Sequence, residues 1–223
     1  MRFGFVLILV LSQCAAMSAQ GGAWLREKGA GFSSVSFTTT YFGDNAISSY
    51  LEYGVRDDLT LGADIAFYTS RNGQQSGYGT VFMRRPIGPN NGPNRWAYEL
   101  GVGTAWVGDL MLPHVKTGVS WGRGIEFKDK NGWMAVDTSV VWDINNGLHL
   151  TKLDGTAGLN FAEITTGMVQ VYFAHLDGEL YGTVAPSVLF KPRKVNFRIQ
   201  IGAEIPVRNV SDAALKLGIW RKF

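Results

Sequence analysis

The sequence predicts an all-β chain closed into an antiparallel transmembrane β-barrel of about twelve strands in up-and-down order. Three observations carry that expectation. Apolar and polar residues alternate with a period of two from Phe32 to Phe223, the periodicity of strands with two unlike faces. Polar and glycine-rich turn clusters interrupt the alternation at regular intervals. Charges sit at mid-strand positions on the polar face, while aromatics gather near strand ends on the apolar face. A soluble sandwich buries its apolar face, whereas a membrane barrel turns that face to lipid and lines its lumen with the polar one.

The first residues read as an export signal. Arg2 supplies a positive start, "FGFVLILVLS" a short apolar run, and "CAAMSAQGG" offers cleavage after Ala16, Ser18 or Ala19. Residues 1–19 are therefore expected to be a signal peptide and 20–223 the barrel. The apolar run is about ten residues, where a spanning helix needs about 20. No other long apolar run follows, which argues against a helical bundle. Cys14 is the sole cysteine, and "LSQC" hints at lipoprotein processing, but Gln13 stands where such sites require a small residue. Without Cys14 the mature chain has no thiol, and with only three histidines it is poorly supplied for metal chemistry. No cofactor is expected. A net charge of +3, scattered along the chain, is not a nucleic-acid footprint.

Taken in order, "VSFTTTY" sets Val35, Phe37 and Tyr41 against Ser36, Thr38 and Thr40. "LTLGADIAF" places Leu59, Leu61, Ile65 and Phe67 on one face and Asp64 on the other. "WAYELGVGTAW" and "VNFRIQIGAE" repeat the pattern, with Glu99 and Arg198 on the polar side. Turn signals such as "GDNA", "RDD", "PNNGPN", "KDKNG", "LDG" and "KPRK" separate the runs. They delimit strands near 31–42, 47–56, 59–70, 77–87, 95–107, 113–127, 132–144, 147–161, 167–175, 179–191, 194–205 and 213–223. Pro186 lacks a ladder donor in the tenth run and predicts a bulge there. The connections are short, about three to seven residues, which argues against a large recognition surface. No linker or second domain interrupts the series.

The polar face assigns the lumen. Its carboxylates are Glu52, Asp64, Glu99, Asp137, Asp143, Asp154 and Glu204; its cations are Arg56, Arg84, Lys116, Lys152, Arg198 and Lys216. A channel that captures one class of charged solute tends to show one dominant sign on its wall. The near balance here predicts cross-strand pairs that fill a narrow lumen. On the apolar face, Tyr41, Phe67, Trp96, Trp106, Trp142, Phe161, Phe190 and Phe223 fall where aromatic girdles meet the two membrane interfaces.

An even set of long alternating strands behind a signal peptide, closing on Phe223, resembles bacterial outer-membrane β-barrels. "EYGVRDDLTLGADI", "FMRRPIG", "VSWGRGIEF" and "KLDGTAGLNF" look like segments of an uncharacterised proteobacterial family of that class. The resemblance implies an outer-membrane location, contact with membrane lipid and lipopolysaccharide, and recognition of the last strand by the barrel-assembly machinery. Leu215, Leu217, Ile219 and Phe223 fit that assembly signal, while Arg221 stands where an aromatic is usual. It implies no reaction, and no solute is identified. The function expected is a structural barrel or small-solute pore, not an enzyme. The alternative is a lipid-modifying hydrolase, whose outer-membrane examples pair His and Ser two residues apart. Only His149, with Thr151, has a hydroxyl at that spacing, and threonine is not the residue they use.

Overall fold

A computed structural model describes residues 22–89 and 92–223; the expected signal peptide, 1–19, lies outside them. Twelve strands follow one another: β1 (Gly31–Thr40), β2 (Asn45–Arg56), β3 (Leu59–Thr69), β4 (Gln75–Pro86), β5 (Asn94–Val107), β6 (Leu110–Phe127), β7 (Lys130–Asp143), β8 (His149–Ala162), β9 (Thr165–Leu176), β10 (Glu179–Phe190), β11 (Arg198–Pro206) and β12 (Ala214–Lys222). Each pairs antiparallel with its sequence neighbours, and β12 returns to β1 to close the barrel. The seam runs from Phe32 opposite Lys222 to Thr40 opposite Ala214. Closure leaves no free strand edge, the condition a sheet must meet to sit in hydrocarbon.

The strands match the expected runs to within a few residues, with physical reasons for the departures. β11 starts at Arg198 rather than near 194, because the proline-containing connection from Lys191 extends through Phe197. Several connections shrink to two residues. In Lys128–Asp129 and Asp177–Gly178 both positions have positive φ, the conformation whose twist matches that of the flanking strands. Pro186 produces no register shift. The β10–β11 ladder is interrupted between Val184 and Ser187 and resumes in the same register. The bulges lie instead at Gly54/Arg56 and Asn160/Ala162.

The two faces separate as the period of two requires. Val35, Leu51, Val81, Leu153, Val188 and Leu217 are exposed on the outer wall, while Ser34, Glu52, Thr80, Lys152, Ser187 and Lys216 are buried inside. The outer aromatics divide between the rims. Tyr41, Phe67, Trp106 and Trp142 lie toward the end carrying the β1–β2 loop, and Trp96, Phe161, Phe190 and Phe223 toward the end carrying the chain terminus.

The interior is packed. In the terminus half, Phe32, Tyr50, Phe82, Met168, Leu189 and Trp220 form a buried cluster reinforced by Tyr172 and Trp133. Edge-to-face contacts hold Phe32 to Tyr50 and Trp220. The segment before β1 also enters the barrel, with Ala23 and Arg26 both buried. Gly54 makes its passage possible: a Cβ there would stand 2.0 Å from the Glu27 carbonyl oxygen and 2.6 Å from that of Arg26. These contacts are backbone, so neither could yield by side-chain rotation.

Phe223 completes the seam through reciprocal backbone bonds with Gly31, at 2.6 and 3.0 Å. Deleting Phe223 should therefore cost about 1–2 kcal/mol. The temperature at which the folded gel band converts to the unfolded one should fall by several degrees; an unchanged transition would show that the seam does not depend on this residue.

Candidate functional site

The barrel interior joins charged side chains from four strands and the entering N-terminal segment. Glu52, on β2, is fully buried. It accepts from Arg26 Nε at 2.6 Å and from Tyr50 Oη at 2.5 Å, and its Oε1 pairs with Arg84 of β4. Arg84 reaches onward to Glu99 of β5 at 2.5 Å, and Glu99 takes Lys116 of β6 at 2.7 Å. Charge therefore alternates along Arg26, Glu52, Arg84, Glu99 and Lys116. This order compensates each buried ion by its neighbours, and loss of one member would strand a charge in a low-dielectric interior. Phe82 lies beneath the network, with the Arg84 guanidinium carbon 5.0 Å and the Lys116 ammonium 5.8 Å from its ring centroid.

Beyond the network lies a polar cavity of about 90 Å³. At about 10–15 Å³ of such space per water, it has room for several waters. Asp64, Lys116, Asp137, Lys152, Asp154 and His114 are among its walls. Tyr78 donates to Asp64 at 2.8 Å, and the Gly22 amide donates to Asp137 at 2.8 Å. Asp137 and Asp154 stand directly opposite each other across β7 and β8, an arrangement of like charges that costs stability unless cations balance it. On another wall, Lys216 pairs with Glu204 at 2.8 Å, both almost wholly buried.

The remaining sequence candidates lie apart. Arg198 donates to Thr166 at 3.0 Å, away from the ion-pair chain. Arg56 does not enter the lumen: the bulge after Gly54 reverses its side, and it sits exposed beside Asp58 at 3.4 Å. Asp143 caps the β7–β8 turn by accepting the Asn145 and Asn146 amides at 2.9 and 3.2 Å. His149 rests against Trp142, with ring centroids 5.6 Å apart, and Thr151 faces outward and is exposed. The histidine that faces inward is His114, 2.9 Å from the Thr80 hydroxyl. It shares strand parity with Lys116, which was the available signal for placing it inside. Arg26 had no such signal, because it precedes the first alternating run.

At the loop end, Arg71 ties two loops together. It pairs with Asp44 at 2.7 Å and Asp212 at 3.5 Å, above the Phe42 ring at 4.8 Å. Partial burial opposes ionisation of Asp44, but the Arg71 amide and guanidinium outweigh it and hold its carboxyl below the usual range.

A KdgM porin superposes with a TM-score of 0.60 at 11% identity, covering 86% of this chain and 99% of the porin. The COG4313 outer-membrane channel from Pseudomonas putida F1 gives 0.54 at 11% identity, covering 89% and 97%. No family model and no curated protein matches the sequence. The fold is that of bacterial outer-membrane β-barrels.

Arg84→Met should destabilise the barrel by about 3–5 kcal/mol, because Glu52 and Glu99 both lose their shared partner. Urea unfolding in detergent micelles should show this loss, and show most of it restored when Glu52→Gln and Glu99→Gln are added. Asp44, with its lowered folded pKa, contributes stability above the unfolded carboxylate value of about 4 and loses it as pH falls through the folded value. Asp44→Asn should therefore be less stable than the parent at pH 6 by up to about 1 kcal/mol. Thermal unfolding of the two proteins should converge once the pH has fallen through the lowered folded value of Asp44.

Proposed function

We infer that this protein is an integral outer-membrane barrel acting as a narrow, self-plugged pore for small polar solutes. The carrying observation is that residues 22–26 enter the barrel and are tied to its wall through Arg26 and Glu52, in a barrel whose terminus half holds an apolar cluster. The cavity beyond is lined by both signs of charge, which favours weak ionic preference over capture of one sign. The porin and channel among the structural neighbours support the same reading. Among the described residues, the one inward hydroxyl–imidazole pair, Thr80 with His114, has no side-chain hydrogen bond from a third group that would orient the imidazole. His149 lies against Trp142 and Thr151 points away from the lumen, so the hydrolase alternative is the weaker one.

In this reading the signal at 1–19 exports the chain and Phe223 is read by the assembly machinery. The terminus end then faces the periplasm, and the loop end meets lipopolysaccharide. Deletion of Phe223 should lower assembly in cells far more than refolding into micelles, since the seam bonds it supplies are few.

Planar-bilayer recording tests the pore. The parent should give small, intermittent currents with little preference between cations and anions. Arg26→Ala, which frees the plug from Glu52, should raise the open probability several-fold. A large, steady, strongly selective current from the parent would overturn the plugged reading, and silence from both proteins would favour a purely structural barrel.

A further inference from the structure

The outer wall carries an apolar groove of about 610 Å³ toward the terminus end, within the range of about 300–1,000 Å³ that small-ligand sites occupy. Ala157, Gly167, Val169 and Pro186 are among the residues along it, flanked by Phe127 and Ile201. Its shape has a local cause. Small residues replace bulky ones on β8 and β9, and the β10–β11 ladder is interrupted beside Pro186. A Cβ on Gly167 would stand 2.3 Å from the Phe161 ring, so glycine there lets that ring lie across the groove's end.

The rim at that end is basic. Lys128 follows Phe127, and its ammonium lies 5.5 Å from the Phe127 ring centroid. Lys130 donates from Nζ to the Phe161 carbonyl at 2.7 Å. The Lys191 amide donates to the Ile164 carbonyl at 2.8 Å, placing the next connection, with Arg193 and Lys194, beside the β8–β9 turn. Asp129 and Glu163 are the acids of these turns, fewer than the bases around them. At the opposite end Asp109, Asp143, Asp177 and Glu179 prevail in the corresponding loops. The barrel is therefore polarised along its axis, with the groove opening toward the basic end.

We propose that this groove and its basic rim form a binding site for a single anionic phospholipid, one acyl chain lying along Ala157 and Val169 and the phosphate meeting Lys128, Lys130 and Lys191. An apolar channel that runs within the lipid-facing belt selects a hydrocarbon chain. Ammonium groups at its mouth select a headgroup with net negative charge over a zwitterionic one. The inference rests on the membrane-embedded reading but not on conduction. Embedding is checked separately, by resistance of the barrel to carbonate washing of membranes.

The test uses the mature barrel in detergent with equal amounts of phosphatidylglycerol and phosphatidylethanolamine, retained lipid being counted by native mass spectrometry. Phosphatidylglycerol should be retained about tenfold over phosphatidylethanolamine. Lys128→Ala, Lys130→Ala and Lys191→Ala together should abolish that preference while the heat-dependent gel shift of the folded barrel persists. Ala157→Phe, which fills the groove without touching a charge, should reduce retention of phosphatidylglycerol. Equal retention of the two lipids by the parent would overturn the proposal. So would retention unchanged by Ala157→Phe, or displacement of phosphatidylglycerol by an equal amount of lipopolysaccharide.

Discussion

Every strand of this protein is hydrogen-bonded on both sides, and that closure governs the rest of the structure. The β1–β12 seam removes the last free edge, so the backbone is satisfied without help from solvent. Once the sheet is closed, each side chain must point either outward or into a confined interior. An apolar residue can face outward without cost in lipid. A charged residue that faces inward must find a partner among the few groups that share its level of the barrel.

The chain from Arg26 to Lys116 is the consequence of that confinement. Arg84 is central because its guanidinium reaches two carboxylates from different strands, Glu52 and Glu99. A planar fork with several donors suits this bridging role better than a single ammonium would. Buried ions contribute little net stability compared with a well-packed apolar core, but once present they tolerate no missing partner. The apolar cluster around Phe32 and Trp220 makes the opposite use of the same confinement, filling the terminus half with rings. Beside these two devices lies the polar cavity lined by Asp64, Lys116 and Lys152.

The ends of the barrel are built differently. Arg71 draws the β1–β2 and β3–β4 loops toward the turn that precedes β12, through Asp44 and Asp212. At the terminus end, short basic turns flank the wall, and the entering segment passes close to Gly54. The loop end is thus tied together through Arg71, whereas near the terminus end Arg26 fastens the entering segment to Glu52.

The class, strand number, strand order and identity of the outer face were legible in the sequence, because alternation has a period of two and short turns leave successive strands no choice but to pair antiparallel. Parity likewise accounts for the inward positions of Glu52, Arg84, Glu99, Lys152, Glu204 and Lys216. Arg56 departs because a bulge adds a residue and reverses the side on which the next one falls, and Pro186 interrupts a ladder without shifting it. Partners were not legible. That Arg84 meets Glu52 across an intervening strand, that His114 meets Thr80, and that the segment around Arg26 folds inward all depend on the register and curvature of the closed barrel. Alternation along a strand determines which side a residue faces; only closure of all twelve strands determines which residues meet at the same depth.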